Sequence, residues 1–308
     1  MTVHKDHIDL KGFLIMAGLT WLWGFSYPAI KVANLGFSPI FNSFLRSTVA
    51  SALGVAYCLG IKEPLFHRDI RLFHGFMIGL LFGLEFVCVY LGLLYTDAAR
   101  AIILVNCSPF VVAAGAFLLL KERLGPARVI GLILAFIGVC LVFQGKPRSW
   151  SLQMLRGDLL ALTAAFLWGA TTIYIKKYLA HQVKPIHTFL YQLVFSAPIN
   201  LVCAYILEPR WLLDISAVVL AAFFYTSVIV AFFTYLTWFK LIHIYPVADL
   251  SVFTFLTPAF GVFTGALFLK EQLTAGLLLG LVLVCGGIYL TNRQPARVGL
   301  KPGLDEQP

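Results

Sequence analysis

Two side chains of opposite charge, Arg46 and Glu85, stand deep inside stretches of otherwise apolar sequence. A charge near the centre of a bilayer costs at least about 2.5 kcal/mol, so each needs a partner or a wet cavity. Arg46 lies about eight residues into one apolar segment and Glu85 about nine back from the end of the next, so at 1.5 Å per residue both sit roughly 12 to 14 Å deep. Equal depth on consecutive segments permits an ion pair. Three chemistries stay open: a bridge pinning two helices, a guanidinium that holds a carboxylate, or a carboxyl that exchanges protons or receives an amine.

Aromatic residues offer a second kind of chemistry. Trp23, Tyr27, Tyr90, Trp168, Tyr174, Tyr191, Tyr235 and Trp238 carry amphipathic rings that can stack on an organic solute or bind a cation through the π face. Trp23 and Trp168 are too far from their segment ends for an interfacial belt, which leaves cavity lining or close packing beside Gly24 and Gly169. Pro109 and Pro258 each remove a backbone donor within an apolar segment, after Ser108 and Thr257, and so predict helix kinks. Asn106, Ser108, Thr254 and Thr257 become candidate polar lining at those kinks, where transporter helices commonly break. Gln192 occupies nearly the place in the second half that Arg46 has in the first.

Enzyme chemistry finds no constellation. His4, His7, His67, His74, His181, His187 and His243 fall at segment ends or in tails, and no triad, metal spacing or phosphate loop emerges. No cofactor and no metal are expected. The six cysteines fall within apolar segments without paired spacing and read as small packing residues.

These residues need elements to hold them, and the composition says which. The chain has 308 residues, 60% of them hydrophobic and 12% charged, far from the balance of a soluble domain. Ten apolar segments approach the roughly 20 residues that cross a bilayer: 12–31, 38–60, 73–94, 99–119, 126–144, 157–176, 186–207, 217–239, 247–268 and 275–291. They lack the alternation of a transmembrane barrel, and the first lacks a clear cleavage site for a secretory peptide. The formal charge of +9 is dispersed over loops and does not predict a nucleic-acid partner. It reports orientation instead. With the amino terminus inside, Lys5, Lys11, Lys62, Arg71, Lys121, Arg128, Lys176, Lys177 and others are cytosolic, against a smaller external set of Lys31, Arg100, Lys146, Arg148, Arg156, Arg210 and Lys270. The positive-inside rule then predicts a multi-pass protein of the inner (plasma) membrane with both termini in the cytosol.

The chain also repeats itself. "SPFVVAAGAFLLLKERL" at 108–124 returns as "TPAFGVFTGALFLKEQL" at 257–273, the Leu-Trp-Gly at 22–24 returns at 167–169, Lys31 falls on Lys176, and "SPIF" at 38–41 falls opposite "KPIH" at 184–187. Gly131 and Gly138 fall on Gly280 and Gly287, with an offset that drifts only from 145 to 149 residues. Two copies of five helices must enter the membrane from opposite sides, which predicts an inverted repeat. The expected organisation is an N-terminal tail (1–11), a first repeat (12–144), an external linker (145–156), a second repeat (157–291) and a C-terminal tail (292–308). Lys121-Glu122 would then be cytosolic and Lys270-Glu271 external.

This ordered set resembles the drug/metabolite transporter superfamily, EamA family: Trp23-Gly24 and Trp168-Gly169, Arg46, and the two runs from Pro109 to Glu122 and from Pro258 to Glu271. The resemblance covers almost the whole chain; Gln192 in place of a second Arg departs from it. It implies an all-α integral membrane protein of ten spans as two inverted five-helix repeats. It further implies a carrier of small organic solutes, most simply an exporter of amino acids or related metabolites, with a lipid bilayer as its other partner. A drug carrier or uptake permease of the same fold is the near alternative; a membrane enzyme or a non-transporting membrane protein is the distant one.

Overall fold

The computed structural model describes residues 5, 7–67, 69–96, 98–122, 125–142, 151–261 and 275–292. Apart from an isolated bridge between Phe37 and Leu212, the regular elements among these residues are helices: α1 Leu10–Ala33, α2 Pro39–Gly60, α3 Ile70–Tyr95, α4 Ala98–Val105, α5 Ser108–Leu120, α6 Pro126–Val142, α7 Leu152–Tyr178, α8 Pro185–Leu207, α9 Ala217–Phe224, α10 Tyr235–Ile244, α11 Val247–Val252 and a last helix Ala275–Asn292. A π-helical stretch, Tyr225–Thr234, joins α9 to α10 without a break. A 3-10 turn, Phe253–Phe255, follows α11, and helix resumes over 256–261.

Six of these stretches are long and apolar enough to cross a membrane: Leu10–Ala33, Ile70–Tyr95, Ile103–Leu120, Leu152–Tyr178, Pro185–Leu207 and Ala217–Ile244. Helix α2 has 22 residues yet is too polar to count among them. Its Asn42, Ser43, Arg46, Ser47 and Ser51 recur three or four apart, on one helical stripe, and that stripe is buried. The stripe meets its like on α8: Asn200 Nδ2 donates to Ser43 Oγ at 2.9 Å, and Ser196 Oγ to Ser47 Oγ at 3.3 Å. In a bilayer such polar pairs hold helices together where apolar surface alone gives no drive.

Small residues set the remaining contacts. A Cβ on Gly75, Gly79 or Gly83 of α3 would run into Tyr191, Phe195 and Ile199 of α8 in turn, so α3 lies along α8 through a four-residue glycine spacing. Helix α6 crosses the last helix through two glycine pairs. A Cβ on Gly131 would lie 2.5 Å from the Gly287 carbonyl, and one on Gly138 would lie 2.6 Å from the Gly280 carbonyl. Helix starts are capped by Asp9, Asp69, Ser151 and Ser216, each accepting from a backbone N–H of its first turn. The first turn of α2 is held from afar, since the Glu208 carboxylate accepts from Ile40 N at 2.7 Å, Phe41 N at 2.9 Å and Ser38 Oγ at 2.6 Å.

The sequence-based segment at 99–119 holds a turn: α4 and α5 are separated by Asn106 and Cys107, within the stretch Ile103–Leu120 that is long and apolar enough to cross a membrane. Pro109 occupies the first turn of α5, where its missing N–H costs nothing, so it begins a helix and does not kink one. Around Pro258 the helix tightens into the 3-10 turn at Phe253–Phe255. The segment at 217–239 runs on to Ile244, and the far part of the one at 247–268, with Lys270-Glu271, lies outside the described residues.

Candidate functional site

A cavity of about 120 Å³ opens among α1, α2, α3, α5, α7, α8 and α10. Each lining side chain arrives through a local reason in its helix. Trp168, Thr171, Thr172 and Ile175 share one stripe of α7 and all line the cavity, as the three- and four-residue spacing requires. The π-helical stretch adds one residue per turn. Val230 and Tyr235, five apart, therefore both reach the cavity, followed by Trp238 and Phe239. The stretch ends on Thr234, whose Oγ1 donates to the Val230 carbonyl and accepts Trp23 Nε1 at 2.8 Å.

The indoles form one wall. Trp168 and Trp238 stack with centroids 5.6 Å apart and planes 22° from parallel; Trp23 meets Trp238 edge-on, also at 5.6 Å. Asn106, Ser108, Thr254 and Thr257 line the cavity where α4 gives way to α5 and where the 3-10 turn lies, as expected of polar groups at helix breaks.

Arg46 and Glu85 both line the cavity and both are buried, yet no ion pair joins them, which corrects the bridge that their equal depth permits. Arg46 Nη2 donates to Tyr235 Oη at 3.1 Å, and the guanidinium lies over the Phe86 ring at 4.0 Å. Arg46 Nε and Glu85 Oε2 have no hydrogen-bond partner among the described residues. Phe86 and Tyr235 lie against the guanidinium, so an aromatic hydroxyl and π faces stand where a carboxylate would be, and Nε is left over among the described residues. Gln192 also lines the cavity, and its Oε1 has no partner among the described residues.

Three other expected site residues stand elsewhere. Tyr90 is buried beside Phe86 but does not line the cavity. Tyr174 shares a hydrogen bond of 2.8 Å with His74 Nδ1, and Tyr191 accepts from His67 N at 2.9 Å. Tyr174 thereby ties α7 to α3, and Tyr191 ties α8 to the loop before α3. The Tyr27 side chain lies outside the described residues. Pro109 and Pro258 flank the cavity through their neighbours Ser108 and Thr257 and do not line it themselves.

The amino-terminal end of the bundle is sealed by polar contacts. Lys176 Nζ donates to the carbonyls of Ile242 at 2.8 Å and Tyr245 at 2.9 Å, where α10 runs out of partners. Lys176 is therefore a buried helix cap, not one of the loop charges that the sequence suggests. Arg128 Nη2 meets the buried carboxylate of Asp249 at 2.9 Å. Glu122 stands at the first turn of α11; burial pushes its carboxyl up against the pull of Arg128, Lys176 and the backbone of Val247 and Ala248. Asp9 accepts from Tyr245 Oη at 2.6 Å and from Lys5, and these contacts hold its carboxyl below the usual range. Asp249, Asp158 and Lys176 are thus buried charges near helix ends, beyond the two that the sequence places at depth; Asp158 accepts from Thr96 Oγ1 at 2.7 Å.

Among the described residues no group of His, Cys, Asp or Glu is arranged to hold a metal ion. The sequence model of the EamA-like transporter family matches residues 10–144 and 155–293. The chain is similar to the uncharacterized transporter YoaV of Bacillus subtilis, with 24% identity over 92% of this chain and 97% of that one. It is also similar to proteins named probable amino-acid metabolite efflux pump: that of Salmonella typhimurium, 27% identical over 91% of this chain and 93% of the other, and that of Escherichia coli, 26% identical over 87% and 90%. A solved crystal structure shares its fold with a TM-score of 0.77 and 21% identity, covering 90% of this chain and 94% of that one.

Proposed function

The chain belongs to the EamA-like transporter family, and from that premise we propose that it exports amino acids or related small organic metabolites by alternating access through the central cavity. Ten spans, arranged as two inverted five-helix halves with both termini in the cytosol of a plasma-membrane protein, complete the reading.

Reciprocal contacts support the inversion. Under the offsets of the repeat, Gly131 corresponds to Gly280 and Gly138 to Gly287, and Gly131 packs on Gly287 while Gly138 packs on Gly280. A Cβ built on Gly24 would lie 2.9 Å from the carbonyl oxygen of Thr257, and one on its counterpart Gly169 would lie 3.4 Å from that of Ser108, the counterpart of Thr257. Ser43 bonds Asn200, and their counterparts Phe189 and Gly54 touch, at 2.5 Å from a Cβ built on the glycine. A contact from i to j answered by one from j to i is the mark of a two-fold axis. An odd helix count per half places such an axis in the membrane plane.

The observation that carries transport is the cavity itself, lined from both halves and buried beneath the sealed amino-terminal end. Two halves that rock about a shared axis would exchange which end is sealed. The names of the relatives in Salmonella typhimurium and Escherichia coli favour amino-acid metabolites and the outward direction. The test is flux in proteoliposomes of purified protein, across labelled amino acids, sugars and cationic dyes, with and without an imposed pH gradient. Saturable amino-acid flux against a silent dye and sugar panel is the expected result. Dye or sugar flux without amino-acid flux would overturn the substrate class, and binding without counterflow would overturn transport.

A further inference from the structure

We infer that Arg46 and Glu85 form a charge-separated receptor that reads both ends of a zwitterion, taking the solute's carboxylate at the guanidinium and its ammonium at the carboxylate. This inference rests on the reading that the central cavity is the solute site.

The geometry is unusual for two opposite charges at one depth. An arginine and a glutamate on adjacent helices in a low-dielectric setting attract each other strongly, and direct contact is the usual way to offset the cost of burying them. Here no direct contact joins the two, and the guanidinium is engaged by aromatic groups. Tyr235 Oη takes Nη2 at 3.1 Å, and the Phe86 ring lies beneath it at 4.0 Å. Tyr235 follows directly on the π-helical stretch Tyr225–Thr234, so the element that brings the phenol to Arg46 is also the one that departs from regular helix. Glu85 is 5% exposed and Arg46 2% exposed, and each keeps a buried polar atom, Oε2 and Nε, without a partner among the described residues. Buried charged groups that stay unmatched cost more than the mean hydrogen bond is worth.

A solute with one charge satisfies one of them. A cation alone leaves the guanidinium and adds net positive charge; an anion alone does the reverse. A zwitterion satisfies both and leaves the cavity neutral, while its apolar body rests against the indoles of Trp23, Trp168 and Trp238. A site built to match a polar group rejects the analogue that lacks it, because its own buried group is left unpaired.

Three ligands of matched length test this: norleucine, pentylamine, which lacks its carboxylate, and hexanoate, which lacks its amine. Binding to purified full-length protein is read by quenching of tryptophan fluorescence and by isothermal titration. For the unaltered chain, each singly charged analogue should bind about 10- to 100-fold more weakly than norleucine, the loss of one charged hydrogen bond. Two variants give gains that misfolding cannot imitate. Glu85→Gln should bind hexanoate more tightly than the unaltered chain does while losing norleucine about 10-fold or more. Arg46→Gln should do the same for pentylamine. If pentylamine or hexanoate binds the unaltered chain as tightly as norleucine, the two-ended receptor is wrong while the cavity remains the solute site. If none of the three binds or changes the fluorescence, the cavity reading beneath it falls as well.

Discussion

Two adjacent glycines of the last helix should respond to the same substitution with opposite signs. An alanine Cβ at Gly287 would lie 2.4 Å from the Gly131 carbonyl oxygen and 2.6 Å from Ala135 N. Both atoms are backbone of α6, so no side chain can rotate to make room. Reaching even 3.0 Å from that oxygen requires the helices to part by about 0.6 Å, the difference between 3.0 and 2.4 Å. At Gly286 the nearest heavy atom to a built Cβ is Leu134 Cδ2 at 3.6 Å, an ordinary contact. Alanine is worth up to about 1 kcal/mol over glycine within a helix, and overpacking costs about 1 to 3 kcal/mol. Gly286→Ala should therefore leave stability unchanged or raise it by up to about 1 kcal/mol. Gly287→Ala should lower it by up to about 2 kcal/mol once the helix gain is deducted. Thermal and SDS unfolding of the detergent-purified variants, followed by circular dichroism, measures both. Equal behaviour of the two alanines would refute the glycine-pair account of how α6 meets the last helix. Gly138→Ala, facing the Gly280 carbonyl at 2.6 Å, should follow Gly287→Ala if the crossing is reciprocal.

Glu208→Ala should destabilise by about 1 to 2 kcal/mol, because two N–H groups of the first turn of α2 lose their acceptor; Glu208→Gln should recover part of this, and unfolding midpoints decide it. At the start of α3, Asp69 is held down at about 2 by its hydrogen bonds to the Arg71 side chain and backbone. A depressed carboxyl contributes stability that is full above its unfolded value, about 3.9, and lost as pH falls through the folded one. The unfolding midpoint of Asp69→Asn should thus lose less than that of the unaltered chain between pH 4 and pH 2, and parallel curves would dismiss the contribution. Lys176→Met removes both donors that meet the end of α10 and should speed amide exchange over Val247–Val252 about tenfold, the effect of about 1.4 kcal/mol. Unchanged protection in hydrogen exchange would mean that Lys176 seals nothing.

The depth of Arg46 and Glu85 was legible because a lone charge stands out in apolar sequence, and depth follows from counting at a fixed rise per residue. Their partners were not legible. Whether Arg46 turns to Glu85 or to Tyr235 depends on the phase of α10, and that phase is set by a π-helical stretch of Tyr, Thr, Ser, Val, Ile, Ala and Phe with no composition of its own. Trp23 and Trp168 were separable from the belt by distance to the helix end, whereas Trp238 stood at the end of its expected segment; all three line the cavity. Tyr174 and Tyr191 were indistinguishable from Tyr235 by type, because what separates them is a histidine distant in sequence, on α3 for Tyr174 and in the loop before α3 for Tyr191. The buried stripe of α2 was visible as spacing, but polar spacing in a greasy chain reads equally as cavity or as helix contact, and Ser43 and Ser47 prove to be contact. Lys176 looked like a loop charge since its helix extends to Tyr178, and nothing local announces the carbonyls of Ile242 and Tyr245.

The two-fold pairing proposed for the scaffold would stop at the site, and that break has a measurable meaning. Gln192 stands where symmetry would repeat Arg46, both line the cavity, and α2 and α8 cross between them. A second arginine there would leave one carboxylate, Glu85, facing two guanidinium groups. For a charge about 10 Å from a bound group, an effective dielectric of about 20 gives roughly 1.7 kcal/mol, close to 15-fold in affinity. Gln192→Arg should therefore bind hexanoate about 10-fold more tightly and pentylamine about 10-fold more weakly than the unaltered chain does, with norleucine nearly unchanged because its two charges feel opposing effects. Gln192→Met, which adds no charge, should shift the two analogues together or not at all. The ratio of hexanoate to pentylamine affinity within each variant is the readout, so a loss of folded protein cancels. If that ratio does not move in Gln192→Arg, then position 192 does not share a field with the solute, and the asymmetry of the two halves is a matter of packing rather than of recognition.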